Sequence, residues 1–294
     1  MSTRRVTQAD PPSICGPVTA VVILHGVSWQ RNCPGLGGEG TGVDIDAVEG
    51  GHYYKDQAAN TNPVIAWSHR SRYEKAISLI DRPNSKVLDY GCGDATFLAM
   101  ASDRIAEGYG CDIDEHQIQD CRDRLGAIPN LHFVSIGDLG EDYDGAFDVV
   151  TCQETLEHCT DEAIDTILDD IARLCSPTGR VIISVPIEIG PSFAVKQSIR
   201  ALAARMGNSS YHVSERYGPR DAARMVFARA STKVERPLYE VDGLTGYSHF
   251  GFNWRALRER VAQTLEVVDT EFTPLGALGG FASSQAWFLC RPRR

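Results

Sequence analysis

The stretch Val87-Leu88-Asp89-Tyr90-Gly91-Cys92-Gly93-Asp94-Ala95-Thr96-Phe97 is an apolar run that breaks into a glycine turn and then resumes as a helical pattern. Glycines at such a point let the chain turn sharply and let a ligand approach backbone without a Cβ in the way. Outward from this stretch, apolar runs at 86–90, 108–113, 131–136, 147–152, 180–186, 266–272 and 285–290 read as strands. Helical spacing predicts helices at 96–106, 115–125, 161–174, 194–206 and 254–265, with another from residue 63 to residue 82. Strands separated by helices of about ten residues or more pair in parallel through right-handed crossovers. The expected fold is a Rossmann-like, doubly wound seven-stranded α/β sheet, mostly parallel, whose last two strands permit one antiparallel edge strand.

The chain of 294 residues has room for two domains, or for one filled α/β domain with additions. Its 43% hydrophobic and 23% charged residues suit a soluble globular protein, and no run approaches the roughly 18 apolar residues of a membrane span. The net charge of −10 argues against a general polyanion-binding surface, nucleic acid included. Nine cysteines without a C-x-x-C pair exclude a disulfide framework and a zinc ribbon. Arg4-Arg5 precedes no apolar signal region, so the expected location is cytoplasmic, with reduced thiols.

Residues 1–50, with Pro11-Pro12 and five glycines between 35 and 42, show no sustained period and read as a poorly ordered extension. Their apolar run at 21–24, followed by His25-Gly26, has no G-x-S-x-G elbow to make a hydrolase, and the glycines lack the Lys-Ser/Thr of a P-loop. Residues 51–294 read as one domain. Within it, 187–250 forms a helical cap insertion with nine basic and six acidic residues, a net +3 that favours an acceptor carrying negative charge.

Asp112 closes the second strand about twenty residues after the glycine turn, where a carboxylate can accept both ribose hydroxyls of a nucleoside. Asp138 closes the third strand, within reach of an exocyclic amine. An N-cap role explains any one acid, but Asp89, Asp112 and Asp138 at three successive strand ends make a nucleoside site. A nicotinamide dehydrogenase would carry G-x-G-x-x-G directly after the strand. Here Asp89 precedes Gly91 and the third glycine is missing. After the fourth strand, Cys152-Gln153-Glu154-Thr155-Leu156-Glu157-His158 sets Glu154, Glu157 and His158 at i, i+3 and i+4, one face of a helix. His158 suits a general base, with a carboxylate beside it to orient the ring.

The turn Asp89–Ala95, Asp112, Asp138, the strand Phe147-Asp148-Val149-Val150 and the later Leu174-Cys175-Ser176-Pro177-Thr178-Gly179-Arg180 together resemble the class I S-adenosylmethionine-dependent methyltransferases, over about residues 63–291. The resemblance implies S-adenosylmethionine as cofactor. Asp89 and Gly91 would border its methionine part, Gly93 the same turn, and Asp112 its ribose. Asp138 and Leu139 would flank adenine, and Ile113 and Gln153 complete the cofactor-binding set. Ala95 stands where the family has its third glycine, and Ser176-Pro177-Thr178-Gly179 replaces a Lys-Pro-Gly-Gly turn. Neither change removes a polar contact.

The E-x-x-E-H string from Glu154 to His158 is similar to that of ubiquinone-biosynthetic O-methyltransferases and of small-RNA 3′-terminal 2′-O-methyltransferases. There it is associated with a divalent metal. This implies Mg2+ or Mn2+ on Glu154, Glu157 and His158, with His249 of Ser248-His249-Phe250-Gly251 as a fourth ligand. The expected function is methyl transfer to a small-molecule acceptor at a hydroxyl, with His158, Glu154 and Glu157 catalytic. The alternatives are a metal-dependent RNA 2′-O-methyltransferase and a non-catalytic S-adenosylmethionine-binding protein.

Overall fold

A computed structural model of the chain describes residues 50–51, 63–205, 218–241 and 244–293. The extension expected at 1–50 lies outside them apart from Gly50. Among the described residues there are nine strands: β1 (Lys86–Tyr90), β2 (Glu107–Asp112), β3 (Leu131–Ser135), β4 (Phe147–Gln153), β5 (Cys175–Pro186), β6 (Leu238–Val241), β7 (Leu244–Tyr247), β8 (Leu265–Thr273) and β9 (Gln285–Pro292). The helices are α1 (Pro63–Ser78), α2 (Thr96–Ala101), α3 (Glu115–Leu125), α4 (Asp161–Leu174), α5 (Pro191–Arg205), α6 (Pro219–Val226) and α7 (Trp254–Thr264).

Seven strands form the expected sheet, in the order β3-β2-β1-β4-β5-β9-β8. From β3 to β5 every pair is parallel, whereas β9 is antiparallel to both β5 and β8. The antiparallel strand therefore lies one place in from the edge. Its residues explain the position: Ala286, Trp287, Phe288 and Cys290 are buried on alternate faces, so β9 needs cover on both sides. The outer strand β8 keeps Glu266, Val268 and Asp269 exposed, as an edge requires.

Two cores cover the two faces. Val87, Phe133, Ile182 and Trp287 pack with α1, α2 and α3, while Leu88, Val150, Ile183 and Phe288 pack with α4 and α7. Helix α4 forms over the expected residues because its signals agree. Thr160 accepts the Ala163 amide at the N-terminus, Asp161 and Glu162 occupy the first turn, and Ile164, Leu168, Ile171 and Leu174 make one buried stripe. Helix α2 stops at Ala101, short of the expected 106. The Ser102 hydroxyl donates to the Ala99 carbonyl at 2.8 Å, and Asn130 caps the carbonyls of Ser102 and Ile105, so the chain leaves the helix for a turn. The segment after β5 carries α5 and α6, and also the β6–β7 hairpin, whose four-residue strands show no alternation long enough to read.

The glycine turn is clamped onto β2. The amides of Gly91 and Cys92 both donate to the Cys111 carbonyl, at 2.8 and 2.9 Å, and Gly91 takes a φ of +78° open to glycine but strained for other residues. Gly110 makes the close approach possible. A Cβ there would lie 2.9 Å from Cys92 Sγ and 3.0 Å from the Phe133 ring. Gly110→Ala is therefore expected to lower stability by roughly 1–3 kcal/mol through overpacking. Urea unfolding should show a lower midpoint at an unchanged slope; an unaltered midpoint would mean that the turn does not press on β2.

Candidate cofactor site and histidine cluster

Parallel strands end together, so the carboxyl ends of β1 to β4 line one crevice edge, and the reversed β9 brings its first residue, Gln285, to the same end opposite Pro186. Asp89 lies on β1 and is 3% exposed, with its Oδ1 accepting the Thr151 hydroxyl at 2.6 Å. Burial pushes its carboxyl up to about 7, against the pull of the hydrogen bond from Thr151. Asp112 accepts the Gly93 amide and the Asp114 amide, each at 3.0 Å, so the acid expected at the ribose also ties the glycine turn to the end of β2. Ile113 beside it is 67% exposed, an apolar side chain presented at the strand end. Asp138 ends a 3-10 turn and is exposed, whereas Leu139 is buried in the core and its amide is spent on the Ile136 carbonyl. Only Asp138 of that pair presents a side chain to solvent. Ala95, at the missing third glycine, takes a left-handed φ of 55°, and so keeps the shape that a glycine would give.

The E-x-x-E-H segment is not a helix over its full length. Glu154 has a left-handed φ of 53°, and a 3-10 turn covers only Leu156–His158. Glu154 is therefore not among the ligand atoms that come together with Glu157 and His158, although it lies near enough to act on Glu157. Arg72 of α1 meets its carboxylate at 3.3 Å, and Gln285 Nε2 donates to the same oxygen at 3.1 Å. What converges instead is Glu157, His158 and His249, with ligand atoms within 4.8 Å of one another. The two Nε2 atoms are 3.3 Å apart, and each lies 3.8 Å from Glu157 Oε1.

The protonation pattern follows from the contacts. His158 Nδ1 is 2.8 Å from the Tyr247 carbonyl, which can only accept, so the proton sits on Nδ1 and Nε2 carries the lone pair, 3.3 Å from His249 Nε2. Glu157 is fully buried and neither carboxylate oxygen has a hydrogen-bond partner. Burial, with Glu154 as the next cause, raises its carboxyl well above the usual range, and burial also lowers His249. A buried carboxylate without a donor, facing two imidazole nitrogens, fits a bound cation. It would take up the charge of Glu157 and both lone pairs, leaving further positions open. Two nitrogens and one oxygen suit Mn2+ better than Mg2+, which favours oxygen.

Several residues here carry no sequence signal. Arg72 sits inside α1, where a charged residue reads as solvent-facing, yet it is buried against Glu154. Lys196 of α5 binds Glu188 at 3.0 Å and the carbonyls of Ile187 and Ser284, and Arg236 binds three carbonyls. These basic side chains of the inserted segment are engaged in holding the crevice together. His69 nearby is pulled down to about 4 by burial first, and then by Arg72 and Lys196. The described cysteines are all free thiols, and among the described residues no helix is long and apolar enough to cross a membrane.

Residues 87–179 match the model of the methyltransferase domain family. Ubiquinone biosynthesis O-methyltransferase from Thiobacillus denitrificans is 36% identical over 102 residues, covering 34% of this chain and 43% of that protein. The enzyme of the same name from Dechloromonas aromatica is 32% identical over 114 residues, covering 38% and 47%. The chain thus spans less than half the length of the curated relatives it matches. A crystal structure from Pyrococcus horikoshii overlays 82% of this chain and 97% of its own, with a TM-score of 0.53 at 14% identity, which shows a shared fold. With the strand order, the glycine turn and the acids at the strand ends in place, the chain carries a class I S-adenosylmethionine-dependent methyltransferase domain.

Proposed function

We propose that this chain transfers the methyl group of S-adenosylmethionine to a hydroxyl of a small-molecule acceptor, with a divalent cation held by Glu157, His158 and His249. The observation that carries the reading is Glu157, a buried carboxylate with no hydrogen-bond donor, 3.8 Å from two imidazole nitrogens. The curated relatives, named as O-methyltransferases of ubiquinone biosynthesis, support oxygen as the target. The net charge of −10 supports a small acceptor over an extended nucleic acid.

S-adenosylmethionine supplies an activated methyl on a cationic sulfur, and a divalent cation lowers the pKa of a hydroxyl beside it. The protein supplies the rest. Gly91 and Gly93 let the turn take its left-handed shape, Asp112 would offer its remaining lone pairs to the ribose, and Ile113 with Asp138 would border the base. Asp89 meets the positively charged methionine part. A second reading, in which His158 itself takes the hydroxyl proton, rests on the lone pair at its Nε2, which the Nδ1 contact to Tyr247 leaves unprotonated. Turnover that ignores chelators would favour it.

Three measurements test these assignments. In titration calorimetry S-adenosylmethionine should bind the wild type, and Asp112→Ala should weaken it by roughly tenfold or more through loss of charge-assisted hydrogen bonds; undiminished binding removes the ribose role. The pH dependence follows from Asp89. With a carboxyl near 7 it holds a proton in the empty protein below that pH, and a cationic ligand must expel it. Affinity should therefore rise with pH up to about 7 and then level off, and Asp89→Asn should flatten the curve. A flat wild-type curve would separate Asp89 from the cofactor. Methyl-labelling of metabolite extracts should stop with EDTA and return with Mn2+, but not in Glu157→Gln; full activity in EDTA would sink the cation.

A further inference from the structure

The histidine cluster is assembled from two distant stretches of chain. Glu157 and His158 follow β4, whereas His249 follows β7. Their contact depends on how the two backbones are held against each other, and one side chain spans the gap. The Arg236 guanidinium donates to the carbonyl of Glu157, to that of Ser248 at 2.8 Å and, from Nε, to that of Phe250 at 3.2 Å. The first carbonyl lies in the peptide joining Glu157 to His158. The other two flank His249 on either side. The same guanidinium lies over the Tyr247 ring at 4.4 Å and the Phe252 ring at 5.4 Å.

Tyr247 closes the loop of contacts. Its carbonyl accepts the His158 Nδ1 proton, and its ring packs on Arg236, so the group that fixes the His158 tautomer is itself held by the arginine. The hairpin also runs hard against the turn: a Cβ at Gly246 would lie 2.8 Å from the His158 carbonyl oxygen. Three carbonyls on one planar fork suit arginine, whose donors diverge at fixed angles. A lysine ammonium keeps the charge but loses the plane and the stacking.

We propose that Arg236 is the positioning residue of the cluster: by pinning the carbonyls of Glu157, Ser248 and Phe250 it sets the spacing of His158 and His249 and the tautomer of His158. Its Nε and one of its terminal nitrogens bond backbone carbonyls, so it acts on the histidines through the backbone. The proposal rests on the cation reading above for one of its two readouts only. Arg236→Lys and Arg236→Met are compared with wild type by Mn2+ titration and by nitrogen NMR of the imidazoles in metal-free protein at pH 8. S-adenosylmethionine affinity serves as a check that the glycine turn is intact.

Both variants should bind Mn2+ at least tenfold more weakly, keep S-adenosylmethionine affinity within about twofold, and lose the predominance of the Nδ1–H form of His158. The lysine variant should not rescue either loss. If wild type binds no Mn2+ but the tautomer still changes in both variants, the cation reading falls and the positioning role stands. Wild-type tautomer and Mn2+ affinity in both variants would overturn the proposal. Rescue of both by lysine would overturn it too, because charge alone would then suffice.

Discussion

Three successive amides of the glycine turn are taken up by β2: those of Gly91 and Cys92 by the Cys111 carbonyl, and that of Gly93 by the Asp112 carboxylate. These bonds decide where the turn sits, and the crevice follows from them. A parallel sheet brings its strand ends to one side by its own geometry, but it does not shape the loops that leave them. The clamp on β2 does. Asp112 uses two of its roughly four acceptor positions on the amides of Gly93 and Asp114, which leaves it half free for a ligand and wholly fixed in orientation. Cys121 Sγ and Arg124 add contacts to the carbonyls of Gly93 and Asp94, at 3.2 and 2.8 Å, so α3 braces the turn from behind.

The second half of the crevice is governed by burial rather than by backbone. Asp89, Glu157, Glu188 and Arg72 are buried, and Glu154, Lys196 and His69 are half-buried, in surroundings where a charge survives only beside an opposite charge. Arg72 with Glu154 and Lys196 with Glu188 satisfy that rule in pairs. Asp89 and Glu157 are the two acids without a cationic hydrogen-bond partner, and they are the ones whose carboxyls are pushed up. The protein therefore presents two places where an incoming positive charge would be welcomed, one at Asp89 and one at the histidines.

Much of this was legible in the sequence wherever a local pattern and a tertiary role coincide. The strand–glycine–helix run at 87–97 read correctly as a fold, and Asp112 ends β2 as expected, whereas β3 stops at Ser135 and Asp138 follows in a 3-10 turn. Helix α4 read to the residue because its cap, charge and stripe agree. The failures share a cause. Whether Glu154 joins Glu157 is decided by a left-handed backbone and by Arg72 and Gln285, which are remote in sequence. Arg236 looks like any exposed arginine until three carbonyls from elsewhere surround it. Ser102 shortens α2 by a bond that no propensity expresses strongly.

The reversed direction of β9 has a consequence in time. Because that strand runs against its neighbours, its first residue reaches the crevice, and Gln285 there steadies Glu154 across 131 residues of chain. A nascent chain emerging from the ribosome can fold the glycine turn, β1 and β2 long before this partner exists. The side of the glycine turn thus matures early and the side of Glu154 last. A ribosome that stalls before β9 yields a chain with the turn of a methyltransferase and no finished wall opposite it.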